Sequence, residues 1–256
     1  MRQLPGIAVV SQCSLEPDVV RKMVEAVGRQ LAEHVAPAWG RRAPEVTFHD
    51  RLSTVPPGIP PIILFDRAWD ASAAGYHAET PDGRSFARVF LDTVLADGGV
   101  VLHDGPRLTV ASVVSHEAIE MFIDPDCNVW VDGPPIPQGK SYSLEVCDPV
   151  NGETYPVTTG DGTVVGVSNF LYPDWFDPQA AAGARFDHQG LLHRPFSVSA
   201  KGYSLVRWWP GSEVMVGSSV IPYLHRFSSI QFPASRTMRR VTGRGFHHHG
   251  GRGVPR

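Results

Sequence analysis

The residues best suited to bind a metal or to catalyse a reaction are His116, Glu117 and Glu120, within the sequence His-Glu-Ala-Ile-Glu. In a helix, side chains four positions apart lie on the same face. His116 and Glu120 can therefore hold one metal ion between them. Glu117 is turned aside by one position and can reach a water molecule on that metal. The spacing predicts a metal site with a carboxylate beside it.

This H-E-x-x-E pattern is the H-E-x-x-H arrangement of zinc peptidases with the second histidine replaced by glutamate. A carboxylate is an ordinary zinc ligand, so the replacement is compatible with zinc binding. Zinc lowers the pKa of a bound water towards ~7 and polarises a carbonyl group. Glu117 would be the general base that takes the proton of this water and passes it to the leaving amine. The predicted chemistry is zinc-dependent hydrolysis. The alternative is a histidine and two solvated glutamates on a helix surface.

The residues around the motif predict a helix from about 108 to 123, ended by Asp124-Pro125. The segment contains no glycine or proline, and its apolar side chains recur with near-helical spacing. These side chains are Leu108, Val110, Val113, Val114, Ile119, Phe122 and Ile123.

The chain before this helix predicts a sheet with one backing helix. Alternating or wholly apolar runs predict strands at 7–10, 44–49, 62–65 and 86–92, with the apolar run at 62–65 central. A stripe from Val19 to Val35 predicts a helix over 16–35, and residues 66–84 are expected to form a loop. This element order is that of the upper domain of zincins. The strand at 86–92 would be the sheet edge that pairs with an extended peptide.

The chain after the helix is expected to be rich in β-strands. Strands are predicted at 129–131, 142–147, 203–209 and 213–216, and Gly160-Asp-Gly162 predicts a hairpin between 154–159 and 163–167. The fold class expected is α+β and zincin-like, with a twisted mixed sheet, a backing helix and a metal-binding helix. We expect one domain over 1–232, with sheet and helices in 1–125 and the β-rich part in 126–232. Residues 233–256 carry Arg, Gly and His without acidic residues and predict a disordered basic tail.

A catalytic zinc site requires a third protein ligand and one open position. Glu145 is the first candidate, because it is predicted to lie on a strand that follows the helix. Asp148 competes with it from the same segment. Asp126 is ten residues after His116, where metzincins place a ligand, and Cys147 shares the predicted strand face of Glu145. The sequence leaves these alternatives open.

Three segments resemble a zincin-like group of bacterial and phage proteins. They are Ser115-His-Glu-Ala-Ile-Glu-Met-Phe-Ile-Asp-Pro125, Glu145-Val-Cys-Asp-Pro149 and Val167-Ser-Asn-Phe-Leu-Tyr-Pro-Asp-Trp-Phe176. The loop at 75–83 and residues 195–207 also look like that group, so the resemblance covers about residues 60 to 210. It implies a zinc-binding, metallopeptidase-like fold and supplies no substrate.

The ligand set and its surroundings do not decide whether a bound metal ion would be catalytically active. A His/Glu/acid set is more anionic than a two-histidine set, which predicts a weaker Lewis acid and a higher pKa for the bound water. Slow turnover, a higher pH optimum, or a metal held without catalysis would each follow. A donor to the oxyanion is also required, and the candidates are Tyr142, Tyr155 and Tyr172.

The amino-acid composition limits the classes of binding partner and the cellular compartments that we expect for this protein. The chain has 256 residues and a net charge of −3, which gives no nucleic-acid or membrane signature outside the tail. The first residues lack the apolar region of a signal peptide, and three cysteines are too few for a disulfide scaffold. We expect a cytoplasmic protein with Zn²⁺ as cofactor and a peptide or protein as substrate. The rival expectation is a noncatalytic zincin-fold module, structural or phage-related, with a structural metal.

Overall fold

The structure is a computed structural model that describes residues 3–68, 73–134 and 139–208. It also describes the backbone of two later strands, Ser212–Gly217 and Arg239–Thr242. No helix in these ranges has the length and apolar character that crossing a lipid bilayer requires.

The first part of the chain builds a five-stranded mixed sheet in the order β2-β1-β3-β5-β4. Its strands are β1 (Gly6–Gln12), β2 (Glu45–His49), β3 (Pro61–Phe65), β4 (Gly75–Glu79) and β5 (Ser85–Phe90). All neighbouring strands are parallel except β4, which runs antiparallel to β5. The central position predicted for the apolar run in β3 is confirmed, since a strand covered on both faces needs apolar side chains throughout.

Two predictions for this sheet are wrong. Residues 66–84 were expected to form a loop, but they contain β4. The predicted edge strand at 86–92 corresponds to β5, which lies between β3 and β4, so β4 is the edge. The short strand was missed because glycine and alanine flank its alternating residues and weaken the pattern. Within β4, His77 is buried while Tyr76 is half-buried.

Two longer helices pack against this sheet. Helix α1 (Pro17–Gln30) continues through a π-helical turn (Leu31–Val35) into α2 (Ala36–Ala38), three residues past the predicted end at 35. The short α3 (Leu91–Ala96) follows β5 directly. Helix α4 (Val110–Ile123) carries the motif, as predicted. It begins at a capping box in which the Thr109 side chain accepts from the backbone of Ser112 and the Ser112 hydroxyl accepts from the backbone of Thr109.

Helix α4 lies in the interior of the protein. Thirteen of its fourteen residues are buried, His116 being the exception. The side chains of Glu117 and Glu120 are only 5% and 4% exposed. The alternative in which the motif lies on a solvated helix surface is therefore wrong. Charged groups with so little water around them require partners of opposite charge or a metal.

The second part of the chain forms another five-stranded sheet in the order β11-β10-β7-β6-β12, with a separate hairpin. Its strands are β6 (Val129–Asp132), β7 (Lys140–Ser143), β10 (Tyr203–Trp208), β11 (Ser212–Gly217) and β12 (Arg239–Thr242). The hairpin of β8 (Thr154–Thr158) and β9 (Val164–Ser168) is confirmed. The described chain is thus a mixed α/β fold with a mixed sheet, few helices and a β-rich second part.

Two boundaries in this part differ from the predictions. The strand predicted at 142–147 ends at Ser143, so Glu145 lies beyond β7. Within the predicted disordered tail, Arg239–Thr242 forms β12, which pairs with β6. The other residues of the tail, 233–238 and 243–256, lie outside the described part of the chain.

A stacked histidine pair predicts sensitivity to acid. The rings of His34 and His188 stack with centroids 4.6 Å apart. Burial, together with the charges of His34 and Arg185, lowers the pKa of His188 to about 4, against the opposing effect of Asp187. Between about pH 6.5 and 4 the unfolded chain therefore binds more protons at this position than the folded protein. The free energy of unfolding falls as the pH falls through this window.

We expect His188→Phe to make the free energy of unfolding less dependent on pH between 6.5 and 4, because it keeps the ring packing and removes the titration. Urea unfolding at several pH values measures this dependence. His193→Gln, a change at an exposed histidine, is the control. An unchanged pH dependence in His188→Phe would contradict the assignment.

Candidate metal centre

The first set of candidate ligands is built on one turn of α4. His116 Nε2 lies 3.3 Å from Glu120 Oε2, as the spacing of four residues predicted. The 3₁₀ turn Asp148–Val150 brings a second carboxylate to the same nitrogen, with Asp148 Oδ1 3.3 Å away. Each of the three residues offers one ligand atom, and these atoms lie within 4.8 Å of one another.

The spacing of these atoms fits zinc. In a tetrahedral site with metal–ligand distances of 2.0–2.1 Å, two neighbouring ligand atoms are about 3.3–3.4 Å apart. Both separations from His116 Nε2 in the structure have this value. The side chains of His116 and Asp148 retain 14% and 11% exposure, so the set keeps a small contact with solvent.

Glu145, the first candidate for the third ligand, lies in a different group. Its Oε2 is 3.5 Å from Nε2 of His77, and Nδ1 of the same imidazole is 3.4 Å from Oε2 of Glu120. These three residues form a second set of candidate ligands, which shares only Glu120 with the first. The segment 145–148 therefore supplies one carboxylate to each set.

The two other candidates belong to neither set. Asp126 does not join a group of possible ligands among the described residues. Cys147 contributes its backbone amide, which donates to Glu120 Oε1 at 3.0 Å. This hydrogen bond fixes one carboxylate oxygen of Glu120 and leaves the other facing the two histidines. All three cysteines, Cys13, Cys127 and Cys147, are free thiols.

The predicted general base, Glu117, lies beside the first set. Its Oε2 is 3.4 Å from His77 Nδ1. Its other oxygen faces Gly75 at the start of β4. The carboxylate is therefore held between the motif helix and the edge strand of the sheet.

His77 and Tyr203 are site residues that the sequence interpretation missed. His77 was missed because its segment was expected to be a loop, although the alternation of Tyr76 and His77 in a strand would have turned it inward. The Tyr203 hydroxyl donates a hydrogen bond to Asp148. No local pattern marks Tyr203, since only the folding of β10 over the 3₁₀ turn brings it there.

The three tyrosines predicted as oxyanion donors have other contacts. Tyr155 bonds to Gln30 and His34, and its pKa is raised by burial. The Tyr172 hydroxyl contacts His188, and Tyr142 packs against Trp175 and Phe196. These contacts place all three in aromatic or polar packing, and the oxyanion role stays a prediction for them.

The charges within the two sets shift one another's pKa values. Burial lowers the pKa of His116, but Glu120 and Asp148 outweigh it and raise that pKa well above its usual value. Burial raises the pKa of Glu120, but His116 and His77 hold it well below its usual range. Burial and the charge of Glu120 raise the pKa of Asp148 to about 6, against the opposing effect of His116. Burial also raises the pKa of Glu145.

A buried hydrogen-bond network fixes α4 beside the sites. The Ser115 hydroxyl donates to Gln30 Oε1 at 2.5 Å and accepts from the Ser168 amide at 3.0 Å. Gln30 Nε2 in turn donates to the Ser168 carbonyl at 2.7 Å. The network joins α1, α4 and β9, so the orientation of His116 is set by groups on three elements.

Gly75 allows β4 to approach Glu117. A Cβ atom at this position would lie 2.6 Å from Val113 Cγ1 and 2.9 Å from Glu117 Oε1, so both side chains would have to move. Because Glu117 would be displaced, we expect Gly75→Ala to lower the kcat of the hydrolysis that the motif predicts by about 10- to 100-fold. Peptide hydrolysis and zinc content, measured together, test this. Zinc should be retained, since the atoms nearest to the added Cβ belong to Val113, Glu117 and Arg88, and none of these residues is in the first set.

Gly28→Ala is the matched control, because a Cβ there meets Val46 only at ordinary contact distance, 3.7 Å. It should leave kcat unchanged. Equal rates in Gly75→Ala and the wild type would show that the position of Glu117 does not limit hydrolysis.

Comparisons with protein-family models, with curated proteins and with solved structures found no match to this chain. Its function is therefore argued from the geometry of the site.

Proposed function

We propose that this protein is a zinc-dependent hydrolase of the zincin type, a metallopeptidase in which His116, Glu120 and Asp148 hold the ion. The observation that carries the proposal is the 3.3 Å separation of His116 Nε2 from both carboxylates. Asp148 is chosen over Glu145 as third ligand because it is grouped with His116.

The composition of the first set supports a catalytic site over a structural one. Structural zinc sites in proteins are closed by four protein ligands, whereas catalytic sites have three and an open position. Among the described residues, this set contains three, and one of them, His116, is partly exposed. When bound there, a zinc ion would lower the pKa of a water ligand and polarise the carbonyl of a substrate.

The protein's own side chains would divide the remaining work. Glu117 would accept the proton of the attacking water and pass it to the leaving amine. Tyr203 would keep Asp148 in its orientation by donating to it, and the amide of Cys147 would do the same for Glu120. An extended peptide would pair with β4, the edge of the sheet next to Glu117.

The test is zinc content followed by peptide hydrolysis. The full chain is used with His247, His248 and His249 replaced by serine, because a run of histidines binds metal adventitiously. Inductively coupled plasma mass spectrometry should find zinc in this protein and less in His116→Ala. A mixture of internally quenched peptides should be cleaved, and 1,10-phenanthroline should stop the cleavage until zinc is restored.

Two results would overturn the proposal in different ways. If no metal binds after zinc is supplied, the hydrolase mechanism fails together with the metal site. If zinc binds tightly but no peptide is cleaved, the rival function follows, a noncatalytic zincin-fold module whose metal joins α4 to the segment 145–148.

A further inference from the structure

His77 has a role that a single zinc ion on the first set does not explain. Its side chain is 5% exposed, and its Nε2 has no hydrogen-bond partner at normal distance among the described residues, although the Cys127 thiol lies beside the imidazole. Glu145 Oε2 is also without a hydrogen-bond partner, and the two atoms face each other at 3.5 Å. Leaving a buried polar atom unsatisfied is unfavourable, so two such atoms side by side indicate a missing partner between them.

The spacing in this region is that of metal ligands. Through Nε2, the nitrogen without a partner, His77 faces Glu145 Oε2 at 3.5 Å, close to the separation of about 3.3–3.4 Å expected between ligands of one tetrahedral ion. The ligand atoms of His77, Glu120 and Glu145 lie within 4.8 Å of one another. The same oxygen of Glu120 faces both histidines.

The charges of the side chains around His77 also favour a bound cation at this position. Four buried or nearly buried carboxylates meet here, those of Glu117, Glu120, Glu145 and Asp148. One divalent ion held by His116 would neutralise two of these charges. The other two would remain beside His77, and unpaired charges with little access to water are costly.

We propose that His77, Glu120 and Glu145 form a second divalent-cation site, so that the protein holds two metal ions bridged by the carboxylate of Glu120. In two-metal hydrolases the two ions are about 3.5–4 Å apart. One imidazole with two carboxylates suits zinc and manganese. The inference rests on the proposed function only for the first ion, since the second site has two ligands of its own.

The second site assigns separate roles to the two carboxylates of the segment 145–148. Asp148 completes the site of His116, and Glu145 completes the site of His77. Glu120 belongs to both, with its Oε1 fixed by the amide of Cys147 and its Oε2 shared. The alternative without a second ion is a protonated His77 that pairs with Glu117, Glu120 and Glu145 through its two nitrogens.

Metal stoichiometry separates these arrangements. The full chain with serine at 247, 248 and 249 is stripped with a chelator, and zinc is titrated against a chromophoric chelator of known affinity. We expect two equivalents for the wild type in this background. His77→Gln and Glu145→Gln should each bind one equivalent, because each removes a ligand that belongs only to the second site.

Controls make each outcome decisive. His193→Gln, at an exposed histidine, should still bind two equivalents. Circular dichroism establishes that each variant is folded, and the wild-type titration decides the question without any variant. One equivalent in the wild type, lost in His116→Ala and retained in His77→Gln, would overturn the second site and leave the proposed function standing. No bound zinc in the wild type would overturn both.

Discussion

Glu117→Gln is expected to lower peptide hydrolysis by about 10²- to 10⁴-fold, the range typical of a lost general acid–base group. The substitution is nearly isosteric and removes only the capacity to take a proton. Glu117 is not grouped with either candidate ligand set, so zinc content should be unchanged. The effect should appear in kcat, because proton transfer occurs in the chemical step and not in substrate binding.

A matched control for this variant is Glu33→Gln, the same chemical change in the turn after α1, where the side chain is 52% exposed. It should hydrolyse the peptide mixture at the wild-type rate. Both variants are compared by metal content and thermal unfolding before kinetics are measured. Wild-type rates in Glu117→Gln would show that another group takes the proton, whatever the metal content.

The elements with strong periodicity were predictable from the sequence. Helix α4, the central strand β3 and the hairpin of β8 and β9 all follow from the spacing of apolar residues or from Gly160-Asp-Gly162. The relation of His116 to Glu120 was predictable for the same reason, since it depends only on helix geometry. The local sequence pattern is sufficient to predict the relative position of two residues when both lie on the same helix or strand.

The rest of the site depends on how separate elements pack, and local pattern does not encode this. Glu145 and Asp148 are three residues apart in one segment and equally suited to bind metal. The end of β7 at Ser143 and the 3₁₀ turn that follows place them in different ligand sets. His77 reaches the site across the sheet edge, and its short strand has too few residues to give a clear period. Tyr203 arrives from β10, more than fifty residues further along the chain.

Asp148→Asn is expected to have opposite effects on stability with and without zinc. In the metal-free protein, burial and Glu120 raise the pKa of Asp148 from 3.8 to about 6. The stabilising contribution of this group is therefore complete below pH 3.8 and is lost as the pH rises through 6. At pH 7 the charged carboxylate costs roughly 3 kcal/mol relative to the unfolded chain. The neutral amide of asparagine avoids this cost.

With zinc present the order should reverse. A ligand that binds only the folded protein stabilises it by about 4.1 kcal/mol at a concentration 1,000 times its dissociation constant, which exceeds the cost of about 3 kcal/mol. The wild type should gain this increment, and Asp148→Asn should lose most of it, because a neutral amide is a weaker ligand than a carboxylate. Thermal unfolding at pH 7.5, with chelator and then with excess zinc, measures both effects in one protein preparation.

The control for this reversal is Asp50→Asn, at an exposed aspartate outside both ligand sets. It should follow the wild type under both conditions. If Asp148→Asn is less stable than the wild type without metal as well as with it, Asp148 is a structural partner of His116 and Tyr203 rather than a ligand. A reversal of the order by zinc would require the ion to contact Asp148, because a carboxylate that is unfavourable without metal becomes favourable only when a cation lies beside it.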